Sequence, residues 1–317
     1  MYDVVILTLQ ESSCGDTCEG SCASPRTQVL HCGDALRAAG ARVEMVTAHD
    51  DAEVDAVLAR LDAPPREDGL TWPDPDSKVR LVVAVAEDSQ LRHVVRRMVR
   101  RYAPAPSKRP NELASDRTVP DLPAIGVLPL AAGGFVAALG LPSVPSDIAK
   151  AVLSGAVRRL DLLRHDGGSV VIDGVLLGAS DEHGQPVPWR GRVEVDDKVL
   201  TDGEEDLYAC VVAVADRYAN LDGMAVVATP DPADGLVEVG IAVPSVQKRL
   251  LKPNKFRVEV RRARGRALSV TPRPAADETL PLVEDGVPGE LSRKRSWWTE
   301  RHAWAVYALE PGVGRAA

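Results

Sequence analysis

The sequence predicts a two-domain protein in which an α/β domain with a mainly parallel sheet (1–160) precedes an all-β domain, an antiparallel sandwich or barrel (161–317). A chain of 317 residues is long enough for two domains. Over the first 160 residues, strand-like apolar runs alternate with segments of helical periodicity, which is typical of βαβ units. After Asp161 the helical periodicity nearly disappears, and short β-like runs separated by turns follow one another.

The elements of the first domain follow from their apolar patterns. Short apolar or alternating runs predict strands at 3–7, 41–48, 79–85 and 124–130. Apolar residues at helical spacing predict helices over 27–40, 50–62 and 91–101. In a further helix from residue 145, Ser146 is the expected N-cap, and Ile148, Val152 and Ala156 share one face. In the second domain, β-like runs occur at 168–180, 191–197, 208–217, 224–230, 236–244, 255–263 and 302–309.

Charge and hydropathy restrict the classes of function. The net charge of −8 argues against a nucleic-acid-binding protein. The N-terminus lacks the basic region and the long apolar run of a signal peptide, and no segment approaches the roughly 20 apolar residues of a membrane span. We therefore expect a cytoplasmic protein without a nucleic-acid partner.

One stretch of the first domain has the frame of a phosphate site but not its usual residues. Residues 83–94, VAVAEDSQLRHV, predict the end of a buried strand, a turn and the start of a helix. Many α/β proteins hold a phosphate at such a helix N-terminus. Here the turn contains no glycine and carries two acids, Glu87 and Asp88.

The segment at 123–164, PAIGVLPLAAGGFVAALGLPSVPSDIAKAVLSGAVRRLDLLR, resembles the diacylglycerol kinase catalytic-domain family, which includes bacterial lipid kinases and sphingosine kinases. Residues 81–95, 224–241 and 282–286 are similar to further family segments, in the family's order. The positions that match in the first segment are Gly126, Pro129, Leu130, Gly133, Leu139, Gly140, Pro142, Gly155, Arg159 and Asp161. The resemblance implies a two-domain lipid-kinase-like fold, ATP as phosphoryl donor, Mg²⁺, and a lipid hydroxyl as acceptor.

The nucleotide loops depart from the family pattern. The family's Gly-Gly-Asp-Gly-Thr loop is replaced by Ala86, Glu87, Asp88, Ser89 and Gln90. The family's Gly-Thr-Gly-Asn loop is replaced by Ala131, Ala132, Gly133 and Gly134, and the Asn-Pro-x-Ser-Gly-like turn after the first strand is missing. By resemblance, the candidate cofactor-binding residues are Asp88, Ser89, Gln90, Gly133 and Gly134.

These departures predict an impaired or altered ATP site, as in a pseudokinase or a lipid-binding protein. Glycines let the backbone approach phosphate oxygens, whereas Glu87 would repel a triphosphate by about 1–4 kcal/mol at contact distance. The alternative is an active ATP-dependent lipid kinase with variant loops, in which a metal bridges Glu87 or Asp88 to phosphate. In both cases the expected partner is a lipid or another hydrophobic small molecule.

The β domain keeps two acidic positions of the family pattern. Asp234–Gly235 matches the family's catalytic-region segment with one residue deleted before it, and we expect Asp234 to be the candidate general base. In the later segment Asp285–Gly286 remains, and Val287 stands where the family has Glu.

Four of the five cysteines lie in the first 32 residues, and a cytosolic cluster of this kind favours metal or redox chemistry over structural disulfides. Three thiolates at C-x3-C-x3-C spacing, completed by a fourth, could hold Zn²⁺ or an iron–sulfur cluster. The candidate ligands are Cys14, Cys18, Cys22 and Cys32. A metal or thiol-redox protein is therefore a further alternative, and a reduced loop without metal is the competing interpretation.

Two arginine-rich segments could contact anionic surfaces. The arginines of the helix at 91–101 are expected to form a solvated helix face. The denser basic stretch at 250–267 could give peripheral membrane contact, or it could be an exposed strand edge protected by cations.

Overall fold

A computed structural model describes residues 1–10, 23–221, 223–247, 255–273 and 279–309. The chain divides into two compact units, Met1–Leu160 with His302–Ala317, and Asp161–Arg301. The sequence pattern assigned 161–317 to one β domain, but the structure assigns the segment from His302 onward to the first unit. Its apolar run explains the difference, because Ala305 pairs with Ala124 and Trp304 stacks on Phe135, with ring centroids 6.1 Å apart.

The first unit is an α/β domain with a parallel sheet. The strands lie in the order β2-β1-β3-β4, followed by the end of the last strand of the chain. Its strands are β1 (Asp3–Leu9), β2 (Arg42–Ala48), β3 (Val79–Val85) and β4 (Ala124–Pro129). Its helices are α1 (Ala23–Ala38), α2 (Asp51–Leu58), α3 (Asp88–Tyr102), α4 (Gly134–Ala138) and α5 (Pro145–Ser154), with 3₁₀ turns at Ala59–Leu61 and Pro106–Lys108.

Helix α5 begins and ends at other residues than the sequence pattern predicts. Pro145 occupies the first helical turn and Val144 the N-cap position, so the prediction of Ser146 as N-cap is wrong. Proline fits this position because its missing N–H would have no partner inside the helix. Gly155, with φ +77°, ends the helix before Ala156, so Ala156 does not extend the apolar face.

Two of the five arginines of α3 are paired with acids, one in α2 and one just after the 3₁₀ turn that follows it. The Arg97 Nε donates to Asp55 Oδ1 at 2.9 Å, and the Arg101 Nε donates to Asp62 Oδ1 at 2.6 Å. Arg92 is buried, whereas Arg96 and Arg100 are exposed. The expected solvated face therefore exists only in part.

The second unit is built from antiparallel strands. The strands from residue 157 onward are β5 (Val157–His165), β6 (Val170–Val171), β7 (Gly174–Leu177), β8 (Ala179–Ser180), β9 (Pro186–Val187), β10 (Gly191–Val195), β11 (Lys198–Thr201), β12 (Ala209–Ala213), β13 (Asn220–Leu221), β14 (Met224–Ala225), β15 (Val237–Gln247), β16 (Lys255–Gly265), β17 (Ala267–Pro272), β18 (Leu280–Glu284), β19 (Val287–Leu291) and β20 (Arg295–Tyr307). The start of β5 and the end of β20 belong to the first unit. One sheet of the second unit has the order β16-β15-β12-β7-β18-β19, and β11, β10, β17 and the start of β20 form another run. A 3₁₀ turn spans Asp216–Tyr218.

One aliphatic core joins the two sheets of the second unit. Val175 and Ile241 from the first sheet pack in the same buried cluster as Val193 and Val270 from the second. Trp297 is completely buried in this core. The arrangement is the antiparallel sandwich expected from the sequence.

None of the helices that the structure describes is long and apolar enough to cross a membrane.

Candidate functional site

Two loops of the first unit meet at the carboxyl edge of its parallel sheet. Strands β3 and β4 are neighbours, with Val85 opposite Pro129. The loop after β3 leads into α3, and the loop after β4 leads into α4. The Leu130 N–H donates to the Val85 carbonyl at 2.7 Å and holds the two loops together. The predicted nucleotide residues are therefore brought together, in the position where open α/β sheets bind ligands.

Gln90 occupies the backbone donors of the first loop. Its Oε1 accepts the Ala86 N–H at 2.7 Å and the Glu87 N–H at 3.5 Å. The bond to the Glu87 N–H belongs to a capping box in which Glu87 is the N-cap residue of α3. The Ser89 hydroxyl donates to Glu87 Oε2 at 3.3 Å, so it is directed at a carboxylate.

Asp88 connects the first loop to the second. Its Oδ1 accepts the Phe135 N–H at 3.0 Å, in the first turn of α4. Gly134 has φ +73°, and a Cβ there would lie 3.0 Å from the same Asp88 oxygen. Gly133 has φ +90° but faces open space. The two glycines thus let the second loop turn close to the Asp88 carboxylate.

The N–H groups of Ala86, Glu87 and Phe135 therefore all have acceptors within the protein. A triphosphate at these loops would have to displace Gln90 and Asp88, and would meet the exposed Glu87 side chain. In the described ranges, no group of three or more His, Cys, Asp or Glu side chains is arranged to hold a metal ion. In this conformation the three N–H groups are therefore not available to a phosphate.

In the second unit, Asp161 and Asp234 fix the turn that joins Asp231 to Leu236. Asp161 is fully buried, and its carboxylate accepts the Gly235 N–H at 2.5 Å. The Asp161 N–H donates to the Pro232 carbonyl at 2.7 Å. Asp234 Oδ1 accepts the Leu236 N–H at 2.8 Å.

The second oxygen of Asp234 is paired with an arginine. Arg264 forms an ion pair with Asp234 Oδ2, and its Nε lies 3.0 Å from Glu238 Oε1. Burial raises the pKa of Glu238, the Asp234 charge adds to this rise, and the Arg264 charge opposes it. Both Asp234 oxygens are engaged, so a general-base role would require Arg264 to move away from Oδ2.

No family model and no curated protein matches this sequence. Solved structures match it over nearly its whole length. A diacylglycerol kinase from Bacillus anthracis str. Sterne is 11% identical, with a TM-score of 0.61 and 97% of each chain covered. Two structures of proteins assigned as diacylglycerol kinases in the same strain are 12% identical, with TM-scores of 0.58 and 0.57 and the same coverage. The chain has the two-domain fold of a diacylglycerol kinase.

At this level of identity the comparison shows the fold, and the chemistry must be argued from the residues. The diacylglycerol kinase fold explains why the two loops meet at one sheet edge although the residues in them differ from the family pattern. Gly126 and Gly155, which match the family pattern, are glycines that the fold itself requires. A Cβ on Gly126 would lie 2.6 Å from a Val152 methyl, and Gly155 has φ +77°.

The cysteine cluster lies mostly outside the described residues, which exclude Cys14, Cys18 and Cys22. Cys32 is described and lies in α1, packed in the aliphatic core of the first unit. Burial raises the pKa of its thiol to about 11, which disfavours the thiolate that metals bind. Zn²⁺ or an iron–sulfur cluster stays a prediction from the sequence.

The sequence pattern singles out Asp285 in the second unit, but it does not predict the buried Asp173 beside it. Asp285, with φ +48°, accepts the N–H groups of Ile172, Asp173 and Gly174 at 2.9–3.0 Å. Asp173 is completely buried, and the nearest ion-pair partner in the described residues is Arg217 Nη1 at 3.6 Å. Burial, and then the Asp285 charge, raises the pKa of Asp173 to about 7. The signal in the sequence was one acid inside an apolar run, VVIDGVLL.

Proposed function

We propose that this protein uses the diacylglycerol kinase fold without the family's mode of ATP binding, and that its ligand is a lipid or another hydrophobic small molecule. One observation carries the proposal. The side chains of Gln90 and Asp88 already accept the N–H groups of Ala86, Glu87 and Phe135, at the two loops where the family pattern has phosphate-binding residues. The protein is then a pseudokinase or a lipid-binding member of this fold.

The energies involved are large enough to remove ordinary nucleotide affinity. Breaking the N-cap interactions of α3 costs about 0.5–2 kcal/mol. Placing a phosphate charge beside Glu87 adds about 1–4 kcal/mol in partly wet surroundings. Because every 1.4 kcal/mol is tenfold in affinity, these terms together weaken binding by roughly ten- to ten-thousandfold.

The test is titration calorimetry with Mg·ATP on the wild-type protein and on a variant with the family's glycine loop, A86G/E87G/S89G/Q90T. We expect no measurable binding by wild type and a gain of binding by the loop variant. A matched control is Glu67→Gly, because Glu67 is exposed and lies outside both loops.

The active-kinase alternative gives the opposite result. Binding of Mg·ATP by wild type at micromolar to low-millimolar strength, with phosphorylation of diacylglycerol in mixed micelles, would overturn the proposal. A loop variant that folds but gains no affinity would show that the first loop alone does not control nucleotide binding.

Peripheral contact with a membrane belongs to the same proposal. On β16, Arg261 pairs with Glu205 and Glu259, and Arg264 pairs with Asp234 and Glu238. Arg262 donates to the Ala225 and Val226 carbonyls. Among residues 257–267, Arg257 and Arg266 are exposed cations without such a partner, so they are the ones that would face a bilayer. We expect Arg257→Glu to weaken sedimentation with vesicles rich in anionic lipid and to leave binding to neutral vesicles unchanged.

A further inference from the structure

A cavity of 410 Å³ lies in the first unit at the amino edge of the parallel sheet. Val79 and Arg80 begin β3, and Ala124 begins β4, and all three line it. The two loops described above follow the other ends of these same strands. Ligand pockets in proteins typically have volumes of about 300–1,000 Å³, so this cavity has room for a small molecule. We name it the amino-edge cavity.

Arg80 brings a buried positive charge to this cavity. Its residue is 8% exposed, and its guanidinium lies over the Tyr2 ring, 3.4 Å from the centroid. It donates a hydrogen bond to the Val152 carbonyl, in the last turn of α5. No carboxylate of the described residues forms an ion pair with it. A helix end supplies only about half a negative charge, so the Arg80 charge is incompletely balanced.

A second arginine lines the cavity beside a shared acid. Arg159 Nη2 lies 3.2 Å from Asp121 Oδ2, and Arg117 pairs with the other Asp121 oxygen. The Nε and Nη2 atoms of Arg117 are buried without a hydrogen-bond partner in the described part of the chain. One carboxylate therefore serves two guanidinium groups. Asp74 also lines the cavity, and its Oδ1 accepts the Asp76 N–H at 3.0 Å.

Aromatic side chains form part of the wall and are held in place. Trp72 and Tyr307 both line the cavity. The Trp72 carbonyl accepts the Ala63 N–H at 2.8 Å, and the Asp74 N–H donates to the Leu61 carbonyl at 2.9 Å, so the Trp72 segment is fixed against the 3₁₀ turn. Arg66 covers the Trp72 ring at 5.0 Å from its centroid. The wall is thus preformed rather than assembled on binding.

We propose that the amino-edge cavity binds a small organic anion that carries a flat ring together with a carboxylate or phosphate group. The anionic group would lie near Arg80 and Arg159, and the ring would pack against Trp72 or Tyr307. The lining carries two arginines and two aspartates, but the Asp121 carboxylate is shared between Arg159 and Arg117. Such a ligand would supply the carboxylate or phosphate partner that Arg80 lacks among the described residues. This site is separate from the loops at the carboxyl edge, and it does not depend on whether those loops bind ATP.

A purely structural role for Arg80, as a cap for α5, makes a different prediction. In that case the cavity has no affinity for anions, and charges placed at its rim change nothing but solubility. Substitution of Val157 can distinguish anion binding from helix capping while Arg80 stays unchanged. Val157 lines the cavity and is 49% exposed. Replacement of an exposed residue at the start of β5 leaves the core intact.

The experiment is calorimetric titration of the full chain with phenyl phosphate, benzoate, inorganic phosphate and benzyl alcohol. We expect wild type and Val157→Gln to bind phenyl phosphate or benzoate, with weaker binding of inorganic phosphate and none of the neutral alcohol. Val157→Glu should lose about tenfold or more in affinity, because its carboxylate competes with the ligand for the arginines. The better of the two aromatic anions identifies the acidic group that the site prefers.

A control variant keeps the result specific to this site. Ala86→Glu places a carboxylate at the carboxyl-edge loops, where Ala86 is exposed, and we expect it to bind the aromatic anions as wild type does. Loss of binding in Ala86→Glu would assign the anion to those loops and overturn the proposal. Absence of binding by wild type at millimolar concentration, or equal affinity of Val157→Glu and Val157→Gln, would also overturn it.

Discussion

At the scale of single residues, buried carboxylates decide much of what the second unit can do. Asp161, Asp173, Asp285 and Glu300 are each at most 1% exposed. Asp161 and Asp285 are satisfied by backbone N–H groups, which is the usual way in which a buried acid is stabilised. Neither Asp173 oxygen has a partner at normal hydrogen-bond geometry in the described residues, and Arg217, whose backbone opposes the rise in the Asp173 pKa, lies 3.6 Å from one of them.

Replacing Asp173 by Asn should therefore stabilise the protein above neutral pH. Burial raises the pKa of Asp173 to about 7, so the folded state keeps a proton that the unfolded state releases above about pH 4. As the pH rises from about 4 to 7, this proton's contribution to the free energy of unfolding falls by up to about 4 kcal/mol. Above about pH 7 this contribution no longer changes with pH. Urea unfolding at pH 4.5 and pH 8 measures it.

In that experiment, Asp173→Asn should match wild type at the lower pH and exceed it at the higher pH. Asp197→Asn is the control, because Asp197 is exposed in the same unit. An equal effect of Asp173→Asn at both pH values would show that the Asp173 carboxylate is stabilised in the folded state.

Replacing Asp161 by Ala should loosen the turn that carries Asp234. The change leaves the buried Gly235 N–H without its acceptor, which costs about 1–3 kcal/mol of unfolding free energy. Asp161→Asn keeps an acceptor oxygen and should lose less. The urea midpoints of the two variants distinguish these outcomes, and an unchanged midpoint for Asp161→Ala would contradict a positioning role.

At the scale of elements, the local order of strands and helices was predictable, whereas their ends and caps were not. The apolar run at 79–85 predicts β3, which spans Val79–Val85. The cap of α5 was mispredicted because Ser146 is a favourable cap type, but Pro145 already fixes the first turn. The Gln90 capping box depends on a side chain folding back on its own loop. A comparison with glycine-rich patterns does not reveal this contact.

The turn into α4 gives a test of the contact between the two loops. Gly134→Ala should destabilise the first unit by about 1–3 kcal/mol more than Gly133→Ala, as judged by thermal or urea unfolding. Both glycines have positive φ, so both variants are strained, but only a Cβ at Gly134 approaches the Asp88 carboxylate. Equal destabilisation by the two substitutions would mean that the Asp88 contact does not constrain this turn.

At the scale of the whole molecule, the two-domain fold could be predicted because alternation of strands and helices gives way to strands alone near Asp161. The return of the last strand to the first unit was not predictable from periodicity. An apolar run such as 303–306 can join a parallel or an antiparallel sheet. Its partner strand, β4, lies about 180 residues earlier in the chain. The amino-edge cavity was also hidden from the sequence, since its walls come from five separate segments.

In the two carboxyl-edge loops, the N–H groups of Ala86, Glu87 and Phe135 already have acceptors within the protein. The most direct measurement is the amide NMR spectrum of the labelled wild-type chain during titration with Mg·ATP. We predict that the Ala86, Glu87 and Phe135 amide resonances stay in place up to millimolar nucleotide. Saturable shifts of these three resonances, together with transfer of phosphate to diacylglycerol, would contradict the account and make this protein a working lipid kinase.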